Sequence, residues 1–328
     1  MDGFRIPLGD WIDTGVDWLR DNLAWLFDII TVVVRFLVDS LTDGLVAIPI
    51  FVAIALFALL GWFFRSWQMA LGTALTFTLI VAMDLWEPAM QTLSLVLVAT
   101  LVALAIGIPL GIWSARNDTV RAILKPVLDF MQTMPAFVYL IPAITFFSIG
   151  VVPGLVATVI FALPPGVRLT ELGIRGVDSE TVEAGHAFGA TPGQILRGIQ
   201  LPLATPTIMA GVNQVIMLAL SMAVLAGIVG ADGLGKIVVQ SVSTVNLSQG
   251  VEAGLGVVIL AVFLDRVTAA LGNPGDYPRS LRGVWRRRRT AQSSDSRRDA
   301  GGGSNAAADQ AEREVASPRR APVGGGVL

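Results

Sequence analysis

Residues 88–114 read PAMQTLSLVLVATLVALAIGIPLGIWS. No charged side chain interrupts the run, and it exceeds the roughly 20 residues needed to cross a bilayer as a helix. Its apolar residues are continuous, whereas a barrel strand would alternate them with polar ones. In hydrocarbon every backbone N–H and C=O must be satisfied within the segment, so the run predicts a transmembrane helix. Gly107, Pro109 and Gly111 near its end predict a kink.

Stretches of the same kind flank it. Residues 45–64 and 67–83 form two spans joined by a short turn at Arg65. Residues 128–149 carry Pro135 and Pro142. Residues 151–165 end at Pro164-Pro165, and residues 205–229 and 251–271 complete about seven spans. The whole chain fits this reading. Of its 328 residues 54% are hydrophobic and 15% charged, with a mean hydropathy of +0.69, against about 25% charged in soluble domains. The expected fold is all-α: a polytopic transmembrane helical bundle with an N-terminal amphipathic interfacial helix. There are no cysteines, which excludes disulfides, thiolate metal sites and cysteine catalysis.

Residues 1–44 are expected to form that amphipathic segment. Ile12, Val16, Leu19, Leu23, Leu26, Ile30, Val33 and Leu37 recur in steps of four and three, and Asp10, Asp13, Asp17, Asp21 and Asp28 forbid a lipid-facing run. The segment either lies in the membrane interface or packs on the protein's own helices. The start MDGFRIPLGDWID is acidic and lacks the basic beginning of a secretory signal.

Lys and Arg placement sets the orientation. With the loop 166–204 cytoplasmic, only Arg5, Arg20, Arg35 and Lys236 of the 23 basic residues lie outside. The N-terminus is then outside and the C-terminus cytoplasmic. Residues 45–272 form the membrane domain. Residues 273–328, with Arg286 to Arg289 followed by GGGSNAAADQ, are expected to be a disordered cytoplasmic tail, because they carry too little apolar surface to bury.

The loop 166–204 reads GVRLTELGIRGVDSETVEAGHAFGATPGQILRGIQLPLA. Asp178 or Ser179 can cap a helix over 180–188, Gly189 breaks it, and Thr191 with Pro192 and Gln194 forms a capping box with proline at the first helical position. The second helix is expected to stop before Pro202. The loop is thus a stiff helical elbow. It has too few basic residues to bind nucleic acid.

The run Glu183-Ala184-Gly185, then Gly189, Ile199 and Leu201-Pro202, resembles the EAA signature of bacterial ABC importer permeases, with Gly185 in place of the family's second alanine. Residues 133–154, 161–177, 200–235 and 259–271 are similar to the permease of glycine betaine/proline (quaternary amine) importers. The resemblance implies a subunit of a bacterial plasma-membrane importer in which the elbow is a cytoplasmic coupling helix gripped by a separate ABC ATPase. That partner would bind ATP and Mg, and none is bound by this chain, which has no phosphate-binding loop. Ala184, Gly185 and Ala187 would allow close approach to the partner, and Leu201-Pro202 would fix the exit toward the next span. The resemblance also implies a second copy of the permease, an extracytoplasmic solute-binding protein and surrounding membrane lipid as partners. The chain itself is not expected to be an enzyme.

Gln132, Thr133, Tyr139, Asn213, Gln214 and Ser221 are polar positions in spans and candidates for the translocation path. Interhelical hydrogen bonding is the alternative for each. The sole histidine, His186, cannot form a metal cluster. An ion-coupled secondary transporter and a membrane scaffold or osmosensor remain alternative functions at this point.

Overall fold

The opening run forms a single helix. In the computed structural model, which describes residues 7–272, α5 spans Trp86–Arg116 with Pro109 inside it. Every regular element among the described residues is helical: α1 (Leu8–Asn22), α2 (Ala24–Ala47), α3 (Ile50–Phe64), α4 (Trp67–Ala82), α5, α6 (Asp118–Thr133), α7 (Leu140–Phe147), α8 (Val151–Arg175), α9 (Ser179–Ala187), α10 (Pro192–Ile195), α11 (Leu201–Ala226), α12 (Leu234–Ser243) and α13 (Leu247–Gly272). The tail expected after residue 273 lies outside the described residues.

The centre is a three-helix layer of α5, α8 and α11. Lipid gives apolar helices no hydrophobic reason to associate, so close backbone packing at small residues must hold them. Gly111 of α5 meets α8 so closely that an added Cβ would lie 2.6 Å from both Thr170 Cβ and Val167 O. α8 also meets α11, where a Cβ on Gly173 would lie 3.2 Å from Ala204 O.

This burial explains the largest departure from the sequence expectation. The span starting at Val151 does not end at Pro164-Pro165 but continues as α8 to Arg175. Both prolines are buried, as are Gly166 and Val167. A proline pair removes two helix donors and would break a helix in water. Packed between α5 and α11, the backbone has no water to turn to and stays helical.

The expected seven spans resolve less evenly. Among the described residues four helices are long and apolar enough to cross alone: α5, α8, the continuous run Pro192–Val229, and α13. Two pairs qualify only together. α2 and α3 meet at 106° around Pro49, and α6 and the Ala136–Phe147 segment at 108° around Pro135. Each proline is preceded by an extended residue, Ile48 (ψ 130°) and Met134 (ψ 134°), the conformation that a following proline imposes. The apolar α4 is shorter, at 16 residues.

The N-terminal segment is also divided, by a break at Leu23. α1 leaves Trp11 and Trp18 exposed, whereas α2 packs on α5, α7 and α8. It buries Val34 and Val38, and Phe27 stacks on Phe146 at 4.7 Å. Of the two expected placements, α2 takes the packed one. Phe57, Phe77 and Phe263, with centroids 4.9 to 5.5 Å apart, tie the α3–α4 hairpin to α13.

Residues 230–250, between the expected spans 205–229 and 251–271, include α12. One hydrogen bond seats it: the buried Leu234 N–H donates to Thr92 Oγ1 at 2.8 Å, while Thr92 Oγ1 donates to Pro88 O at 2.9 Å. Thr92→Val keeps the side-chain volume and leaves that N–H unpaired. It is expected to cost about 1–3 kcal/mol, measured as a lowered melting temperature of the detergent-solubilised protein. Thr92→Ser, which keeps the hydroxyl, should restore most of the loss.

Candidate functional site

The elbow spans Asp178 to Gln200. Asp178 is the N-cap of α9, its carboxylate accepting from Thr181 N–H (3.2 Å) and Thr181 Oγ1 (3.1 Å). α9 ends in a Schellman motif: Gly189 N–H donates to His186 O (2.9 Å) and Ala190 N–H to Gly185 O (3.1 Å). The motif needs a left-handed residue, and Gly189 supplies it at φ +77°. α10 then starts with the expected capping box: Thr191 N–H donates to Gln194 Oε1 (2.8 Å) and Gln194 N–H to Thr191 Oγ1 (3.4 Å).

The second helix does not stop before Pro202. α10 passes through a π turn at Leu196–Gln200, where Leu201 N–H reaches back to Leu196 O, and runs on as α11. Pro202, which has no N–H to offer, follows directly on this widened turn. The elbow is therefore continuous with α11, which runs from it into the central helical layer.

The motif residues divide by face. Glu183, Ala184, His186, Ala187 and Gly189 are exposed. Gly185 is not offered to a partner, contrary to the sequence expectation. A Cβ there would lie 2.8 Å from Ile199 Cδ1 and 3.4 Å from Ile195 Cγ1, so Gly185 lets α9 close on α10 and the π turn. Ile199 belongs to the elbow's inner seam, and Leu201 is half-buried at the start of α11. The sequence reading also missed Phe188, 92% exposed at the tip. Its signal was present: an aromatic residue in a polar segment, next to the glycine that makes the turn.

The root of the elbow is braced by charge. Glu171, near the end of α8 and only 16% exposed, accepts from Ser114 Oγ (2.7 Å) and pairs with Arg121 Nε (2.8 Å). Arg175, one turn on, donates to Ser114 O (2.9 Å) and pairs with Asp118 (2.7 Å). Arg168 pairs with Asp129. The Glu171 and Arg175 contacts fix the elbow end of α8 to the corner between α5 and α6, and the Arg168–Asp129 pair ties α8 to the far end of α6. A mostly buried carboxylate with several charge-assisted partners is far stiffer than a solvated surface pair.

The candidate path residues do not form one set. Asn213 uses both ends of its amide on α13: Nδ2 donates to Asp265 Oδ1 (2.9 Å), and Oδ1 accepts from Thr268 Oγ1 (2.8 Å). Tyr139 is buried and its hydroxyl donates to Met131 O. These two have the interhelical role. Gln132, Thr133, Gln214 and Ser221 are exposed. Gln214 and Ser221, seven residues apart, share a face of α11 with exposed Pro206 and Ala210.

The helices that frame the elbow are also those that a family model recognises. The model for binding-protein-dependent transport system inner membrane components matches residues 107–272, from within α5 to the end of α13. The chain belongs to this family. The permease is 50% identical over 264 residues to the glycine betaine transport system permease protein OpuAB of Bacillus subtilis (strain 168), covering 80% of this chain and 94% of that one. It is 46% identical to the glycine betaine/proline betaine transport system permease protein ProW of Escherichia coli (strain K12), over 81% and 75%. It is 49% identical to the glycine betaine/carnitine transport permease protein GbuB of Listeria monocytogenes serotype 1/2a (strain 10403S), over 81% and 95%. Chains from two inward-facing structures of the MetNI methionine ABC transporter share the fold, with TM-scores of 0.53 and 0.54 at 24% and 23% identity. They cover 56% and 58% of the permease and 92% and 95% of their own lengths.

Proposed function

We propose that the permease carries glycine betaine or a closely related quaternary-amine solute into the cell, as one of two copies flanking a shared path. A cytoplasmic ABC ATPase, which binds ATP and Mg, grips the elbow, and an extracytoplasmic binding protein delivers the solute. The reading is carried by the 50% identity to a glycine betaine permease across almost that protein's whole length. The elbow supports it physically. Its exposed face offers Glu183, Ala184, Phe188 and Gly189 to a partner, while its inner seam and charged root join it to α8 and α11 as one stiff body.

In this reading the elbow is cytoplasmic and the N-terminus lies outside, with residues 1–44 as an extracytoplasmic segment, 45–272 as the permease domain and 273–328 as a cytoplasmic tail. Gln214 and Ser221 on α11, with Gln132 and Thr133 at the end of α6, face the path. Its polarity suits a zwitterionic solute, anionic at its carboxylate and cationic at its methylated nitrogen.

The test is uptake of labelled glycine betaine by cells lacking their own uptake systems. The permease is expressed with an ATPase and a binding protein of a glycine betaine importer from the same source. Saturable, ATP-dependent uptake is expected. Uptake by the permease alone under an ion gradient would make it a secondary transporter, and a complete assembly that moves no quaternary amine or proline would overturn the substrate class.

A further inference from the structure

α6 buries only Leu128, so apolar packing does little to place it. Polar contacts with α8 do so instead, and they run in order along both helices. Asp118 meets Arg175 (2.7 Å), Arg121 meets Glu171 (2.8 Å), and Asp129 meets Arg168. The elbow end of α8 thus lies against the start of α6, and α6 leads away from the elbow along α8. At its far end stand Gln132 and Thr133, both exposed and about one turn beyond Asp129. The bend at Pro135 follows them.

The middle contact is built differently from the other two. The Glu171 side chain is 16% exposed, against 87% for Asp118 and 52% for Asp129. Its two oxygens serve different helices: Oε2 accepts from Ser114 Oγ at 2.7 Å, and Oε1 pairs with Arg121 Nε at 2.8 Å. Ser114 is fully buried in the last turn of α5. Only Asn117 separates α5 from α6, and its side chain caps α6 by accepting from Thr119 N–H (2.9 Å) and Val120 N–H (3.2 Å). The corner has no spare residues, so one carboxylate on α8 holds the last turn of α5 and the first turn of α6 together. A shielded, charge-assisted contact of this kind keeps more of its strength than a solvated surface pair.

We infer that Glu171 is a positioning residue for transport: through Arg121 it sets α6, and with it Gln132 and Thr133, according to where the elbow stands. The elbow then has two outputs, α11 through the π turn and α6 through Glu171. In this role Glu171 touches neither solute nor nucleotide. The inference rests on the proposed function, which puts an ATPase on the elbow and Gln132 and Thr133 on the path.

The permease has no cysteines, so Thr133→Cys provides a single thiol at the far end of α6. The experiment measures how fast a charged methanethiosulfonate reagent modifies that thiol in the reconstituted transporter of permease, ATPase and binding protein. Rates are taken with and without ATP and vanadate, and ATP hydrolysis is followed in parallel. In the Thr133→Cys background ATP should change the modification rate. Glu171→Gln keeps the side-chain volume and can still accept from Ser114, but it removes the charge. It should shrink the ATP-dependent change roughly tenfold, the worth of about one charge-assisted hydrogen bond, while the ATPase still hydrolyses ATP. Arg121→Gln alters a half-exposed side chain and leaves Glu171, Ser114 and Arg175 in place, so it should fold and have the same effect. The double variant should be no worse than either single one, because the two side chains act through one contact. Lys236→Gln breaks an exposed ion pair near the other end of α5 and should leave the response unchanged. A thiol that ignores ATP in the Thr133→Cys background, an undiminished response in Glu171→Gln or Arg121→Gln, additive losses in the double variant, or an equal loss in Lys236→Gln would each overturn the inference, and ATP hydrolysis by the same assembly would leave the proposed function standing. A permease that binds no ATPase would overturn both.

Discussion

Gly189→Glu is expected to leave the permease inserted in the membrane and to reduce solute-stimulated ATP hydrolysis by the assembled transporter to the unstimulated level. Two effects combine at this position. Gly189 has φ +77°, where a side chain other than glycine costs about 1–2 kcal/mol, and this strain falls on the Schellman turn that aims the tip. The space around it is open, with nothing within 4 Å of an added Cβ, so a glutamate projects outward beside Phe188. A charge then stands where the proposed partner would bury an aromatic ring, and burying an unpaired charge is far more costly than the turn strain. Gly189→Asn separates the two effects, because asparagine tolerates the left-handed region. It should keep most of the stimulation, whereas Gly189→Ala should lose part of it and Gly189→Glu all of it. The measurement is ATPase activity of the reconstituted complex with and without loaded binding protein. Full stimulation in Gly189→Glu would remove the elbow from the coupling route.

The features legible in the sequence are those with local causes. The run 88–114 lies within α5 at 86–116 because unbroken apolar length leaves no alternative in lipid. Asp178, Gly189 and the Thr191–Gln194 box appear where cap chemistry places them, since a cap involves only near neighbours in the chain. Features that depend on distant neighbours were not legible. Pro164-Pro165 reads as a stop by rules learned in water, and only the flanking α5 and α11 hold it helical. Glu171 gathers Ser114 and Arg121, 57 and 50 residues away, and no spacing pattern announces such a site. Asn213 shows the same limit for the path. A polar residue in an apolar helix signals a partner or a wet surface, and the choice here is made by Asp265 and Thr268 on another helix. Gly185 reads as a small surface residue, and its reason for being small is the chain's own Ile199.

Gly227→Ala is expected to be the most damaging methyl group that can be added to this permease. The 3₁₀ turn Gly227–Val229 ends α11 and leads to α12. At Gly227 a Cβ would lie 2.4 Å from Gly235 C, 2.5 Å from Lys236 N and 2.6 Å from Gly235 O. The reverse contact is as tight, a Cβ on Gly235 falling 2.5 Å from Ala223 O. All of these are backbone atoms, so no rotamer change can relieve the clash, unlike the Ile199 tip facing Gly185. Conformation is not the cause, since Gly227 has an ordinary helical φ of −57°; the position requires space alone. Relief means moving α12 away from α11, which also pulls Leu234 N–H from Thr92 and Leu234 from its contact with Gly256 on α13. Overpacking of this kind costs about 1–3 kcal/mol when side chains can adjust, and the value should exceed that range here. The expected result is a sharp fall in membrane accumulation of a fluorescent fusion and in the melting temperature of the extracted protein. Gly254→Ala, on the open side of α13 with nothing within 4 Å, should be neutral or slightly stabilising. A Gly227→Ala permease that accumulates and melts like the Gly254→Ala control would show that α12 is not clamped to α11, and the short helix would then be free to move independently of the rod that begins at the elbow.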